Sequence, residues 1–584
     1  MVINRKEKGM TLIDVIIGIA LIMLVFYGLY GTFRLSIVLI GSNKAKVGAM
    51  SLATEKMEFV RSMSYDALGT VGGIPAGLLP QTETIELNQT TYTRRTFITY
   101  VDDPEDGLDD EDENGITADY KKVKVELEWT LKDRVQSYAI TSSVVPVGIE
   151  NITGGGTLKI AVFDASALPV TSAQVRIRNT TVSPPIDVTT FTNLSGVAIF
   201  PGGTPEGSNY HITVTKAGYS TDSTYDATAQ NPNPLPANLS VVEGETTTGS
   251  FAIDVLSNLF VNTFDPVATT TTHDTFDSGG GIAQLSNTAR AGGDILLATT
   301  NGEYYADGTA DSLTIASPYL VSWGEVTFAH TMPETTSLRY QLLYNNGTDF
   351  VPIPESDLIG NATGFSTSPV PLYGLATTTY SELRIRALLH TDTTTVTPYV
   401  HEWNLSSLVG PVPRGGIPIT ITSTKTIGTD EDINPIYKYT ESQTTNSEGV
   451  TSFDAIEWDT YTLTVDGVGG GFDIAQACAA LPVTISPAST KTLSLYMTAH
   501  TPHSIRVEVV DDAGATMTDA SVRVYGGGYD TQKNTGACGQ AHFSGVSNST
   551  PYTIVVVRDG YETVTLTGVN ISGADSLRVT LPAL

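Results

Sequence analysis

The hydrophobic and polar positions change character sharply along the first seventy residues. Residues 1–9 are polar and basic through Arg5, Lys6 and Lys8, and positions 15–33 then run without a charge until Arg34. As an α-helix rising 1.5 Å per residue, that run spans about 28 Å, close to the ~30 Å hydrocarbon core of a bilayer. Beyond it, Val47, Met50, Ala53, Met57 and Val60 recur at spacings of three and four, with Glu55, Lys56, Glu58 and Arg61 elsewhere on the surface. The spacing predicts a helix that continues past the membrane to about residue 65 with one apolar face, broken by Tyr65-Asp66-Ala67-Leu68-Gly69. Residues 82–101 and 121–145 alternate apolar and polar, as in Val123, Val125, Leu127 and Trp129, and predict a small sheet for that face to pack on.

The remainder is β-patterned and contains an internal repeat. One copy reads Thr192-Asn193-Leu194-Ser195-Gly196-Val197-Ala198-Ile199-Phe200 followed by Tyr210-His211-Ile212-Thr213-Val214. A second reads Thr445-Asn446-Ser447-Glu448-Gly449-Val450-Thr451-Ser452-Phe453 and then Tyr461-Thr462-Leu463-Thr464-Val465. A third reads Gly539-Gln540-Ala541-His542-Phe543 and then Tyr552-Thr553-Ile554-Val555-Val556. Each is a turn glycine, a strand whose Phe faces a core, a loop, and a strand entered by Tyr. Copies one and three carry a further strand pair upstream, at 158–163 with 173–177 and at 505–510 with 520–524. The middle copy has only a weak first strand and an insertion from Thr426 to Tyr439.

Residues 255–409 do not fit the repeat. Strand-like runs around Trp323, Val326, Phe328, Leu338, Tyr344 and Ile385, separated by Gly- and Asn-bearing turns such as Asn345-Asn346-Gly347, predict a larger β-sandwich of jelly-roll or lectin-like type. Trp323 and Trp403 are expected in its core. Because it breaks the repeat, this segment is the leading candidate for a recognition domain.

Composition narrows the classes. The chain has 584 residues, enough for about four domains. Acidic residues outnumber basic ones 62 to 32, a net charge of −30, which disfavours nucleic acid as a partner because phosphate binding needs a basic surface. Two cysteines exclude a disulfide-dense scaffold and a multi-cysteine metal cluster. The eight histidines form no His-Glu-x-x-His motif, and no phosphate-cradling GxxxxGK[ST] loop occurs, so an enzyme is not expected.

The segment Lys8-Gly9-Met10-Thr11-Leu12-Ile13-Asp14-Val15-Ile16 resembles the cleavage and methylation signal of type IV prepilins. The resemblance implies that a prepilin peptidase cuts between Gly9 and Met10 and methylates the new N-terminus, leaving the apolar helix on the mature chain. The family usually places Phe first and Glu fifth in the mature chain, where this sequence has Met10 and Asp14. A carboxylate near the start of a membrane helix is costly and usually functional. In the family it pairs with a subunit's N-terminal amine during filament assembly, the role implied for Asp14. The plain alternative is an uncleaved signal anchor with Asp14 snorkelling to the headgroups.

Between the two predicted sheet segments lies an acidic stretch, 102–115. Its part Asp110-x-Asp112-x-Asn114-Gly115 matches the start of an EF-hand-type loop, whose alternating oxygen ligands and turn glycine suit calcium. Lys121 stands where the bidentate Glu would be, so Asp119, or Asp103 and Asp106, would complete the shell. So many carboxylates in one short loop repel one another, which favours a structural Ca²⁺ over a bare solvated loop.

The repeats resemble carboxypeptidase regulatory-like domains, transthyretin-type sandwiches of seven strands, here without their peptidase. Cys478 and Cys538 fall in adjacent copies, either as a disulfide stapling them or as two buried thiols. The expected fold class is therefore mainly β and multi-domain, with a leader at 1–9 and a pilin-like domain at 10–150 built from a long N-terminal transmembrane helix (about 10–40, continuing to about 65) on a small sheet (82–145). A string of β-sandwiches follows at 155–254, 255–409, 410–498 and 501–584. The expected function is a minor, tip-associated or sparse type IV pilin-like subunit that displays its β-domains for adhesion or cell-surface contact. It would start in the cytoplasmic membrane with an exported ectodomain, with other pilin subunits and an unknown surface ligand as partners. The rival readings are a pseudopilin-like part of a secretion or DNA-uptake machine, and a membrane-anchored surface protein that never polymerises.

Overall fold

A computed structural model describes residues 12–103, 118–131, 134–146, 155–548 and 550–584. The chain is mostly β, in several sheets, with one long helix at its start. That helix, Leu12–Arg61, has 50 residues and is about 75 Å long at 1.5 Å per residue. Its C-terminal part lies on a four-stranded antiparallel meander, Thr82–Leu87, Thr90–Val101, Tyr120–Leu131 and Arg134–Val144, paired in sequence order. Asn88 and Gln89 both take positive φ in the first hairpin, the twist that a two-residue turn requires.

The buried face of the helix is Ala45, Ala49, Leu52, Ala53, Met57 and Val60, not the predicted set: Val47 and Met50 are 64% and 42% exposed. At about 100° per residue, Met50 and Val47 lie roughly 60° and 120° from Ala53 on the far side from Ala49 and Leu52. They therefore leave the contact, while the alanines let the helix settle close to the sheet. Opposite them, Val123, Val125, Leu127 and Trp129 form the buried row of the third strand, as the alternation predicts.

Three two-sheet sandwiches share one core topology. In each, the first strand pairs antiparallel with the fourth and parallel with the last. These first–last pairs are Gly156–Phe163 with Thr246–Ala252, Ser257–Asp265 with Thr490–Ala499, and Ser504–Asp511 with Ala574–Leu581. The matching fourth strands are Val197–Gly203, Val450–Ile456 and Gln540–Ser544. The facing sheets are built around Gln174–Asn179, Pro418–Ser423 and Ser521–Gly526. The repeat glycines 196, 449 and 539 all have φ near +70°, the left-handed conformation that makes a glycine the residue for this turn. The repeat tyrosines 210, 461 and 552 are fully buried, and their hydroxyls bond backbone just upstream, at Thr204 O, Glu457 O and Ser547 N.

This pairing corrects two expectations. The middle copy does not lack a good first strand: it is Ser257–Asp265, with Leu259 and Val261 fully buried. The domain boundary expected at 255 consequently falls inside the wrong unit. Residues 266–411 are an insertion between the first and second strands of the middle sandwich, and the chain returns through Val412 and Pro413, which pair with Asp265 and Phe264. The insertion forms two six-stranded sheets around one core that holds Trp323 and Trp403 at 1% and 2% exposure, as expected. Local pattern did not assign the strand to its domain because its partners, Val450–Ile456 and Thr490–Ala499, lie roughly 190 to 230 residues downstream.

Candidate functional site: an apolar stalk and the joints beneath it

The helix beyond its sheet contact carries Ile22, Met23, Val25, Phe26, Tyr27, Leu29, Tyr30, Phe33, Ile37, Leu39 and Ile40 all exposed. An apolar surface around most of a protruding helix is soluble only in lipid or against other apolar helices. The described segment Val25–Arg61 is long and apolar enough to cross a membrane. Asp14 lies in the helix near its first described residue, Leu12, whereas the expected processing site, Gly9 and Met10, lies outside the described residues.

A buried ionic lock fixes the helix to its sheet. Lys56 Nζ and Arg94 Nη2 meet Glu83 Oε2 at 2.9 and 3.0 Å, with the two basic side chains only 7% and 9% exposed. Burial pushes the Glu83 carboxyl up, but the Lys56 and Arg94 partners win and hold it below the usual carboxylate range. Tyr92 donates from its hydroxyl to Ala45 O at 2.8 Å, and Lys121 donates to Tyr65 O at 2.9 Å where the helix ends. The sequence pattern set Lys56 on the polar side of the helix and missed this lock. A lysine four positions before Val60 and one before Met57, on the buried stripe, was the available signal.

Of the expected calcium ligands, Asp106, Asp110, Asp112 and Asn114 lie outside the described residues. The structure brings the other two together at the base of the loop, where Asp119 Oδ2 accepts from Asp103 N at 2.6 Å. Burial, then the charges of Asp103 and Asp119, raise the neighbouring Tyr120 phenol. Among the described residues no three His, Cys, Asp or Glu side chains gather for a metal.

Below the stalk, each junction along the chain is pinned by more than the linker. The helix–sheet module meets the first sandwich through Phe97 edge-on to Phe191 at 4.5 Å and through Thr189 N to Gly72 O at 2.8 Å, with Ile74 in the sandwich core. Between the first and middle sandwiches, Asn233–Pro234 adds to the hairpin Thr426–Thr429 and Pro435–Tyr437, so the insertion from Thr426 to Tyr439 is a docking arm. Beside it Lys438 Nζ lies 2.8 Å from Glu457 and 3.6 Å from Asp222. Burial opposes the Lys438 charge, yet Glu457 and Asp222 raise its pKa overall. Between the middle and last sandwiches Cys478 and Cys538 are bonded, choosing the staple over the free thiols. The buried Gln540 amide accepts from Ala477 N at 2.8 Å and donates to Ala477 O at 3.0 Å across the same joint. The inserted domain is held at its root by a two-pronged ion pair, Arg414 to Asp265 at 2.8 and 2.5 Å.

No family model matches the chain, and no curated protein matches it. Solved structures align over long stretches but superpose loosely. The Bacillus anthracis TIE protein is 10% identical over 86% of this chain and 73% of its own, with a TM-score of 0.16. BcpA, the major pilin subunit of Bacillus cereus, is 8% identical over 74% of this chain and 100% of its own, with a TM-score of 0.13. The shaft pilin SpaA of Lactobacillus rhamnosus GG is 13% identical over 30% of this chain and 90% of its own, with a TM-score of 0.12.

Proposed function

We propose that this chain is a sparse or tip-associated subunit of a type IV pilus-like filament, which displays the inserted domain 266–411 for contact with a surface or another cell. One observation carries the reading: a 50-residue helix whose outer part exposes apolar side chains around most of its circumference while its inner part is locked to a four-stranded sheet. Such a helix sits in the cytoplasmic membrane before assembly and packs against other pilin helices afterwards. Cleavage between Gly9 and Met10 by a prepilin peptidase, and pairing of Asp14 with a neighbouring N-terminal amine, follow from the sequence signal. The mechanism is polymerisation and display, without catalysis. Three pinned sandwiches and a side branch would crowd a shaft made of identical copies, which supports a position with few neighbours. A structural Ca²⁺ at the 102–119 loop belongs to the same proposal, as a brace at the edge of the helix–sheet module.

The test is immunogold labelling of sheared filaments from cells carrying the wild-type chain or Asp14→Ala. The reading expects sparse or terminal label for wild type, and membrane label only for the variant. Wild-type label confined to membranes would instead favour the anchored surface protein.

A further inference from the structure

The inserted domain branches from one end of the middle sandwich's first strand. That strand, Ser257–Asp265, continues from the first sandwich at its start and into the inserted domain at its end. Phe264 and Asp265 pair with Pro413 and Val412 on the return, and Arg414 grips Asp265 at 2.8 and 2.5 Å, so the two roots of the insertion lie side by side. A pull between the helix and the inserted domain therefore crosses the middle sandwich along nine residues. At about 3.3 Å per residue against a limit of about 3.6 Å, those residues are already within roughly a tenth of their full length. Unfolding the sandwich around them would lengthen the path by only about 3 Å, so tension gains almost nothing by doing it. The return branch from Val412 leads on to the last sandwich and away from the helix, and it carries none of that tension.

The first sandwich is loaded differently. The path enters at Gly156 and leaves at Ala252, and releasing the roughly 100 residues between them would lengthen it by about 350 Å. Its entry and exit strands are parallel neighbours joined over seven register pairs, from Thr157 with Thr246 to Phe163 with Ala252. Parallel strands start at the same end, so this pull acts on opposite ends of the pair and shears its ladder bonds together instead of opening them one by one. Gly156–Phe163 is held on its other side by Val197–Gly203, and Ile160 and Phe251 anchor the two strands in the core. We propose that this topology is a traction device. The first sandwich resists the pull in shear, the middle sandwich rides on a taut strand, and the last sandwich, stapled to the middle one, stays outside the load. The use made of the device rests on the proposed roles of the helix and the inserted domain. The load path itself is measured on single molecules without a filament or a surface ligand, so either can fail without the other.

The experiment is optical-tweezers stretching of the full chain in detergent without reductant, with DNA handles on pairs of introduced cysteines at exposed positions. Val145→Cys with Leu313→Cys sets the natural path, whereas Val145→Cys with Val242→Cys pulls the entry and exit strands of the first sandwich from one end. The first-sandwich step, about 350 Å on the natural path, is expected at a force about twofold or more above the nearly equal step of the one-ended pull, because several ladder bonds must break together. The inserted domain gives a separate step roughly half as long. Leu493→Ala hollows the middle core and lowers that sandwich's stability, yet both steps of the natural path should stay at wild-type force. Leu493→Val makes the same comparison if the alanine variant does not fold. Equal rupture forces in the two geometries, or a drop in either step of the natural path in the Leu493 variant, overturns the proposal.

Discussion

Glu83 is the single carboxylate that neutralises two nearly buried cations under the helix, so its removal tests whether the stalk is welded to its sheet. Glu83→Ala leaves Lys56 and Arg94 at 7% and 9% side-chain exposure with no counter-ion at 2.9 and 3.0 Å. Breaking one partner out of a buried ion pair costs about 3–5 kcal/mol; because Glu83 is itself 26% exposed and water reaches it, the lower end applies here. A loss of about 3 kcal/mol in local opening free energy corresponds to a roughly 10²-fold faster amide exchange. Hydrogen–deuterium exchange followed by mass spectrometry should show that acceleration in peptides covering 45–61 and 82–101, with peptides of the last sandwich unchanged. Glu83→Gln keeps the acceptor and should fall between. The pH dependence has a fixed sign. The folded pKa lies below the ordinary glutamate value of 4.5, so the contribution is present above about pH 4.5 and is lost as pH falls through the folded value. Wild type should therefore lose protection in acid where Glu83→Gln does not. A change of less than about threefold for Glu83→Ala would refute the buried-lock reasoning.

Three further outcomes are expected. Replacing both cysteines by serine frees a loop of 60 residues, which by chain entropy lowers the stability of the last sandwich by about 4 kcal/mol, read as an earlier guanidinium unfolding step for that domain; an unchanged midpoint would contradict it. Acid should destabilise the same joint: His542 has a folded pKa of about 4 against 6.5, so its neutral-state stability is full above about 6.5 and lost as pH falls towards 4, on the order of 1–3 kcal/mol. His542→Asn should remove that slope in a pH series of thermal melts, and a persisting slope would contradict it. Calcium in excess of its dissociation constant by about 100-fold should stabilise the helix–sheet module by about 2.7 kcal/mol over EGTA, and Asp112→Asn should weaken that response.

Much of the architecture was legible because it is local. The uncharged run 15–33, the alternation through Val123 to Trp129 and the Gly–Phe–Tyr spacing of the repeats each lie within one short contiguous stretch of chain. What escaped is non-local. Ser257–Asp265 reads as an ordinary strand, and only its pairing with Thr490–Ala499 and Val450–Ile456 shows which domain owns it. Lys56 reads as a surface lysine because nothing nearby in sequence announces that Glu83 will meet it. Val47 and Met50 satisfy a three-and-four spacing but drift off the contact face as the helix turns. The joints share that character: Asn233 and Thr429, or Ala477 and Gln540, become partners only once whole domains have folded. The candidate processing site was the reverse case, carried by a short contiguous motif and needing no fold.

The most direct measurement is the mass of the N-terminal peptide of the protein isolated from its native membrane or filament fraction. The account predicts a peptide that begins at N-methylated Met10, the product of cleavage after Gly9. A chain that still begins at Met1 would contradict filament assembly and leave a helix-anchored surface protein.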